Sequence, residues 1–168
     1  MLAIALLLVA MAQACPARGP QFISVATDAE GGFEAARPAL QVLVIGKPDG
    51  SAVVLTRTRD GVVKRGVLKS FDALAGKLSG VFALPQEKEH GMSDAYGLER
   101  SFHVHLKDRC WEHDPPGGCV RDEPKISPTA AEKASFAKLT GIVTGLTSVA
   151  TTSSNEDAWS KALKSIGG

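Results

Sequence analysis

The residues best suited to chemistry crowd into one stretch of this chain, from His103 to Cys119. Its densest part reads Cys110-Trp111-Glu112-His113-Asp114-Pro115-Pro116-Gly117-Gly118-Cys119. Two thiols flanking a Pro-Pro-Gly-Gly reversal suit a disulfide, whose loop of roughly ten residues adds about 2.5–3 kcal/mol in the chain-entropy picture. The other chemistry open to them is a metal centre using both thiolates and His113, but in an oxidising compartment the disulfide is the expected state. Between the cysteines stand Trp111, Glu112, His113 and Asp114, an aromatic and three polar groups. On a stapled tip they form a partner-binding surface with Trp111 as anchor. The alternative is that Trp111 turns inward and the staple serves stability alone.

His103-x-His105 places two imidazoles on one face of a strand, as several metal sites do. The same pattern also follows from a plain solvent-facing side, with Phe102, Val104 and Leu106 turned inward. No third ligand stands at a telling spacing, because His90 and His113 fall in expected loops. No metal and no other cofactor is expected. Gly91-Met92-Ser93-Asp94-Ala95 lacks the second glycine of a nucleophile elbow. Lys47-Pro48-Asp49-Gly50 follows a lone Gly46 and leads into a strand, unlike a phosphate loop. A binding domain is therefore expected rather than an enzyme. The competing readings are a metal-assisted enzyme using the His103/His105 face, and an envelope structural or assembly lipoprotein.

These groups must be carried by elements that the apolar pattern marks out. Phe22–Ala26 reads as a strand, and the apolar run Leu40–Ile45 as a central strand covered on both faces. Lys47-Pro48-Asp49-Gly50 gives a tight turn, Ala52–Arg59 alternates, and Asp60-Gly61 turns the chain into a strand over 62–68. Ser70 caps a helix with Phe71, Leu74, Ala75 and Leu78 on one face, ended at Gly80. Residues 86–97 read as a surface loop, Ser101–Lys107 as a strand, and 108–124 as the loop holding the disulfide. Thr129-Ala130-Ala131-Glu132 is a capping box opening a helix with Phe136, Leu139, Ile142, Val143 and Leu146 on one side. Residues 147–154 read as a Ser/Thr-rich linker, and 155–166 as a short amphipathic helix carrying Trp159, Ala162, Leu163 and Ile166. The expected fold is α+β, an antiparallel sheet of four to five strands with two to three helices packed on one face. The expected division is a domain over 22–146 followed by a linker and helix over 147–168.

The first residues give a compartment. Leu2–Ala12 is uncharged and apolar, too short to span a bilayer, and Ala12-Gln13-Ala14 has the small-x-small pattern of a cleavage site. Residues 1–14 thus read as a signal peptide, although no Lys or Arg precedes the apolar run. Residues 15–21 follow as a Pro-bearing tether. Cys15 would then open the mature chain, either lipidated, which attaches the protein to the envelope membrane, or as a free thiol. The expected location is exported: periplasmic, lipid-anchored to the envelope, or secreted. A net charge of +1 over 168 residues, with no basic stripe, argues against nucleic acid. The expected partner is a protein.

The order Gly31-Gly32-Phe33, the strand at Leu40–Ile45, the helix Phe71–Leu78 running into Phe82-Ala83-Leu84-Pro85, and the strand Phe102–Leu106 resembles emfourin-type proteins. These are small α+β inhibitors of thermolysin-like metalloproteases. The resemblance covers 22–146 and implies a protease as the partner. It carries over no inhibitory residue, and the signal peptide, the hairpin around Asp49, the disulfide loop and the tail depart from that layout.

Overall fold

The structure is a computed structural model and describes residues 19–30, 37–87, 93–107, 109–115 and 123–166. Residues 1–14, Cys15 and Cys119 lie outside these, as do His90 and Gly31-Gly32-Phe33. Seven antiparallel strands form one sheet: β1 (Phe22–Glu30), β2 (Arg37–Gly46), β3 (Ala52–Thr58), β4 (Val63–Leu68), β5 (Arg100–Leu106), β6 (Arg109–His113) and β7 (Thr152–Ser154). Their order across the sheet is β6-β5-β1-β2-β3-β4-β7. The helices are α1 (Phe71–Leu78), α2 (Ala130–Thr144) and α3 (Glu156–Ile166).

The α+β class and the antiparallel sheet are as the alternation demands, but the sheet has seven strands rather than four to five. One addition is β6, which occupies the first part of the expected disulfide loop. The other is β7, which falls in the expected linker and pairs with β4, Lys64 opposite Ser153. The tail is therefore part of the sheet. Just before β7 the backbone at Val149 lies so close to β4 that a Cβ on Gly66 would meet the Val149 carbonyl oxygen at 2.1 Å. Only glycine allows that approach.

Period-two alternation sorts the strand residues onto two faces. Ile23, Val25, Val42, Val44, Val54, Phe102 and Val104 meet α1 and α2 through Phe71, Leu74, Leu78, Phe136, Leu139 and Val143. Their alternates Phe22, Leu43, Leu55 and Val63 pack against Trp159 and Ala162 of α3. The helices thus cover both faces, not one. The physical reason lies in β2 itself, whose run of apolar residues needs cover on each side. The caps hold as read: Ser70 Oγ accepts from the Ala73 N–H, and Thr129 and Glu132 form the reciprocal capping box. Gly80 does not end the first helical stretch, which continues as a 3-10 turn over Ser79–Ala83. Among the described residues no helix is long and apolar enough to cross a membrane.

Candidate functional site

The chemically equipped residues collect on the β5–β6 hairpin. Register pairs Phe102 with His113, His103 with Glu112, Val104 with Trp111 and His105 with Cys110. Alternation therefore sends Trp111 and His113 to the α1/α2 side of the sheet. His103, His105, Cys110, Glu112 and Asp114 go to the α3 side.

On the first side the groups are structural. Trp111 is 2 % exposed, and its indole N–H donates to the Leu84 carbonyl at 3.2 Å. It cannot anchor a partner. His113 is also buried, within an aromatic cluster of Tyr96, Trp111 and Phe136. Its Nε2 lies 3.6 Å from Asp94 Oδ1, too long for a hydrogen bond. Burial alone would raise the Asp94 pKa. His113 beside it and the backbone N–H groups of Glu99, Leu98 and Gly97 outweigh that and hold the carboxyl below its ordinary value. Burial, aided by the charge of Glu132, pushes the Tyr96 phenol well above its usual range. Ser93 is buried and donates to Glu87 at 2.6 Å, so it is held by a carboxylate rather than presented as a nucleophile.

On the second side two imidazole–carboxylate pairs run diagonally across the strands. His103 Nε2 lies 2.7 Å from Asp114 Oδ1, and His105 Nε2 is bonded to Glu112. Each histidine reaches past the residue directly opposite to the one two places along, a separation long side chains can span. Desolvation would lower the His103 pKa, but the Asp114 hydrogen bond and the negative charges of Asp114 and Glu112 win, and it is raised above its ordinary value. His105 is further fixed by stacking on Phe22, centroids 4.2 Å apart and planes 22° from parallel. Cys110, on the same face, is disulfide-bonded. Glu112 and Asp114 keep 26 % and 36 % of their side-chain surface exposed. Of the four residues expected to meet a partner, the fold leaves these two at the surface and takes Trp111 and His113 inside.

Among the described residues no group of three or more His, Cys, Asp and Glu side chains is placed to hold a metal ion. Both imidazole Nε2 atoms are directed at their carboxylates instead of a common point.

Beside the ladder lies a cleft that the sequence did not announce. It has a volume of about 390 Å³ and runs between α3 and the β2–β1–β5 part of the sheet, lined by Phe22, Ser24, Ser101, His103, Trp159 and Leu163 among others. Trp159 is 3 % exposed, and its indole N–H, shielded from solvent, has no acceptor among the described residues. The helical stripe of Trp159, Ala162, Leu163 and Ile166 marks an apolar face, but the small residues Ser24, Ala26 and Ser101 that leave the space open come from two different strands. A second groove of about 410 Å³ separates the Ser79–Ala83 turn from α2, with Leu84 and Leu139 on its floor and Lys77 and Lys138 at its rim.

In comparisons with known proteins, no family model matches the chain, and no curated protein or solved structure matches it either.

Proposed function

We infer that this chain is an exported protein-binding domain that offers the Glu112/Asp114 side of its β5–β6 hairpin to a protein partner. The observation that carries the reading is the bracing of that hairpin. Cys110 is disulfide-bonded, and both carboxylates are held by imidazoles while keeping part of their surface in water. A surface fixed before binding loses less conformational entropy on association, which is one way binding loops gain affinity. The disulfide also supports export, since such bonds persist in oxidising compartments. It agrees with reading residues 1–14 as a signal peptide, and Cys119 is the partner we assign to Cys110. Cys15 then becomes the first mature residue and the point of lipid attachment.

The emfourin-type resemblance makes a thermolysin-like metalloprotease the first partner to try. The metal-assisted enzyme is disfavoured by the engagement of His103 and His105 with separate carboxylates. The test measures binding and residual proteolysis with a thermolysin-like enzyme, using the mature chain and its Glu112→Gln/Asp114→Asn variant. Saturable inhibition weakened in the variant supports the reading, and a complex unaffected by both substitutions removes this face from it. Cell fractionation decides the location: a protein found in the cytosol overturns export. Detergent partitioning abolished by Cys15→Ser establishes the anchor.

A further inference from the structure

We propose that the end of the sheet at which the chain enters β1 docks on the surface of an anionic phospholipid bilayer. The proposal deepens the exported reading and rests on Cys15 as the lipid-bearing residue. Antiparallel pairing brings the start of β1, the β2–β3 turn, the end of β4 and the β5–β6 turn to that one end. These segments carry Lys47, Lys69, Lys107 and Arg109, all exposed. Among the described residues none of the four is in an ion pair. The acids beside them are Asp49 and Asp72, and Asp49 is turned onto Ser51, accepting from its N–H at 2.9 Å and its hydroxyl at 2.6 Å. Asp108, between Lys107 and Arg109 in the sequence, still leaves cations in excess, and Arg18 of the tether adds another.

The opposite end has the reverse balance. Acidic side chains outnumber basic ones there, Asp60, Glu99, Asp114 and Glu156 among them, and Arg57 is already paired with Glu156 at 2.8 Å. Charge is thus sorted along the strands. Anionic headgroups attract the first end and repel the second.

The tether makes the cationic end the near one. Gln21 is already held there, its carbonyl accepting from the Gly46 N–H at 2.9 Å. From Gln21 back to Cys15 the chain can cover at most about 20 Å, even fully extended. From its start, β1 runs roughly 25 Å away from that point. Screening within about 8 Å at physiological salt then confines the attraction to the near end. The cations are spread across the sheet from β4 to β6, about 24 Å at the spacing of paired strands, which suits a flat charged surface rather than a single small anion. Val67, 55 % exposed, stands abreast of Phe22 through Ile45 and Val53, and offers the headgroup boundary an apolar contact. β6 starts at this end and carries Asp114 away from the bilayer, toward a partner.

The experiment uses the mature chain with Cys15→Ser, so that docking is read without the lipid, while detergent partitioning of the Cys15 protein reads the anchor separately. Co-sedimentation at low salt compares vesicles of phosphatidylethanolamine and phosphatidylglycerol with vesicles of phosphatidylcholine alone. Expected is binding to the anionic vesicles only, released by added salt. Lys47→Gln/Lys69→Gln/Lys107→Gln should lower the partition coefficient by about fivefold for each cation removed. Lys64→Gln/Lys133→Gln/Lys138→Gln removes the same charge from the opposite end of β4 and from α2, and should leave binding nearly unchanged. Circular dichroism and the melting temperature check that both variants fold. Equal binding to the two kinds of vesicle overturns the proposal, as does an equal loss in the two variants. A duplex DNA oligomer bound as tightly as the anionic vesicles would assign this end to soluble polyanions and also overturns it.

Discussion

His103 stands directly opposite Glu112 in the β5–β6 ladder, yet its Nε2 bonds Asp114, two residues further along, at 2.7 Å. The second histidine repeats the offset, with His105 opposite Cys110 and bonded to Glu112. Both pairs therefore lean the same way and tie the edge strand to its neighbour. Because β6 is an edge, these side-chain ties supplement backbone pairing on only one side.

Stability should depend on pH through this arrangement, and the sign follows from the raised His103 pKa. A histidine whose folded pKa exceeds its unfolded value, near 6.5, contributes stability that is fully present below that value. The contribution is lost as pH rises through the folded pKa. Asp114→Asn should therefore lower the melting temperature more at pH 5.5 than at pH 8.5. The groups are partly exposed, so the effect should not exceed about 1 kcal/mol. An equal loss at both pH values would contradict the assignment, and a proton NMR titration of His103 would check it directly.

Trp111→Ala should destabilise by about 3–5 kcal/mol, the range for removing a large buried aromatic. At about 2–4 °C per kcal/mol for a chain of this size, the melting temperature should fall by roughly 6–20 °C. Trp111→Phe keeps much of the packing but leaves the Leu84 carbonyl unpaired, and should cost about 1–3 kcal/mol. A Trp111→Ala protein that melts like the parent would return the indole to the surface.

Gly66 and Gly76 should respond to alanine with opposite signs. At Gly66 the new methyl meets the Val149 carbonyl, a backbone group that cannot swing aside. A loss of about 1–3 kcal/mol is expected, with faster hydrogen exchange across the β4–β7 pairing. At Gly76, inside α1, nothing lies within 4 Å of the added atom. Helix propensity should then stabilise by about 0.5–1 kcal/mol. Chemical denaturation of both variants measures the two signs.

Non-reducing peptide mapping should recover Cys110 joined to Cys119. Reduction should then lower stability by about 2.5–3 kcal/mol, less any strain relieved. A Cys110–Cys15 peptide would instead place the bond between the hairpin and the chain's amino-terminal segment, and would free Cys119.

Local sequence determined much of this architecture. The alternation Phe102, Val104 against His103, His105 fixed which side chains share a face, because a strand's period is two whatever it packs against. Ser70 and the Thr129/Glu132 box set helix starts, since caps act within one turn. The hairpin return into β6 carries no sequence signal, for an equally local reason. Its two-residue connection, Lys107-Asp108, lacks glycine and asparagine, and Lys107 takes φ 48° without the residue type that advertises a positive φ. Without such a signal, Trp111 and His113 read as loop residues in the sequence. Once the strand exists, alternation sends both into the core.

The rest required contacts between distant segments. The apolar run in β2 indicated cover on both faces, but only the packing of Trp159 against Phe22, Leu43 and Leu55 revealed that α3 supplies the second layer. The Ser/Thr-rich segment before it offered no hydrophobic signal, yet β7 forms because β4 presents an unpaired edge, and edges pair through backbone groups present in every residue. The cleft is likewise invisible in one dimension. It arises where α3 meets small residues from β1 and β5, and empty space is a property of the segments brought together, not of any one of them.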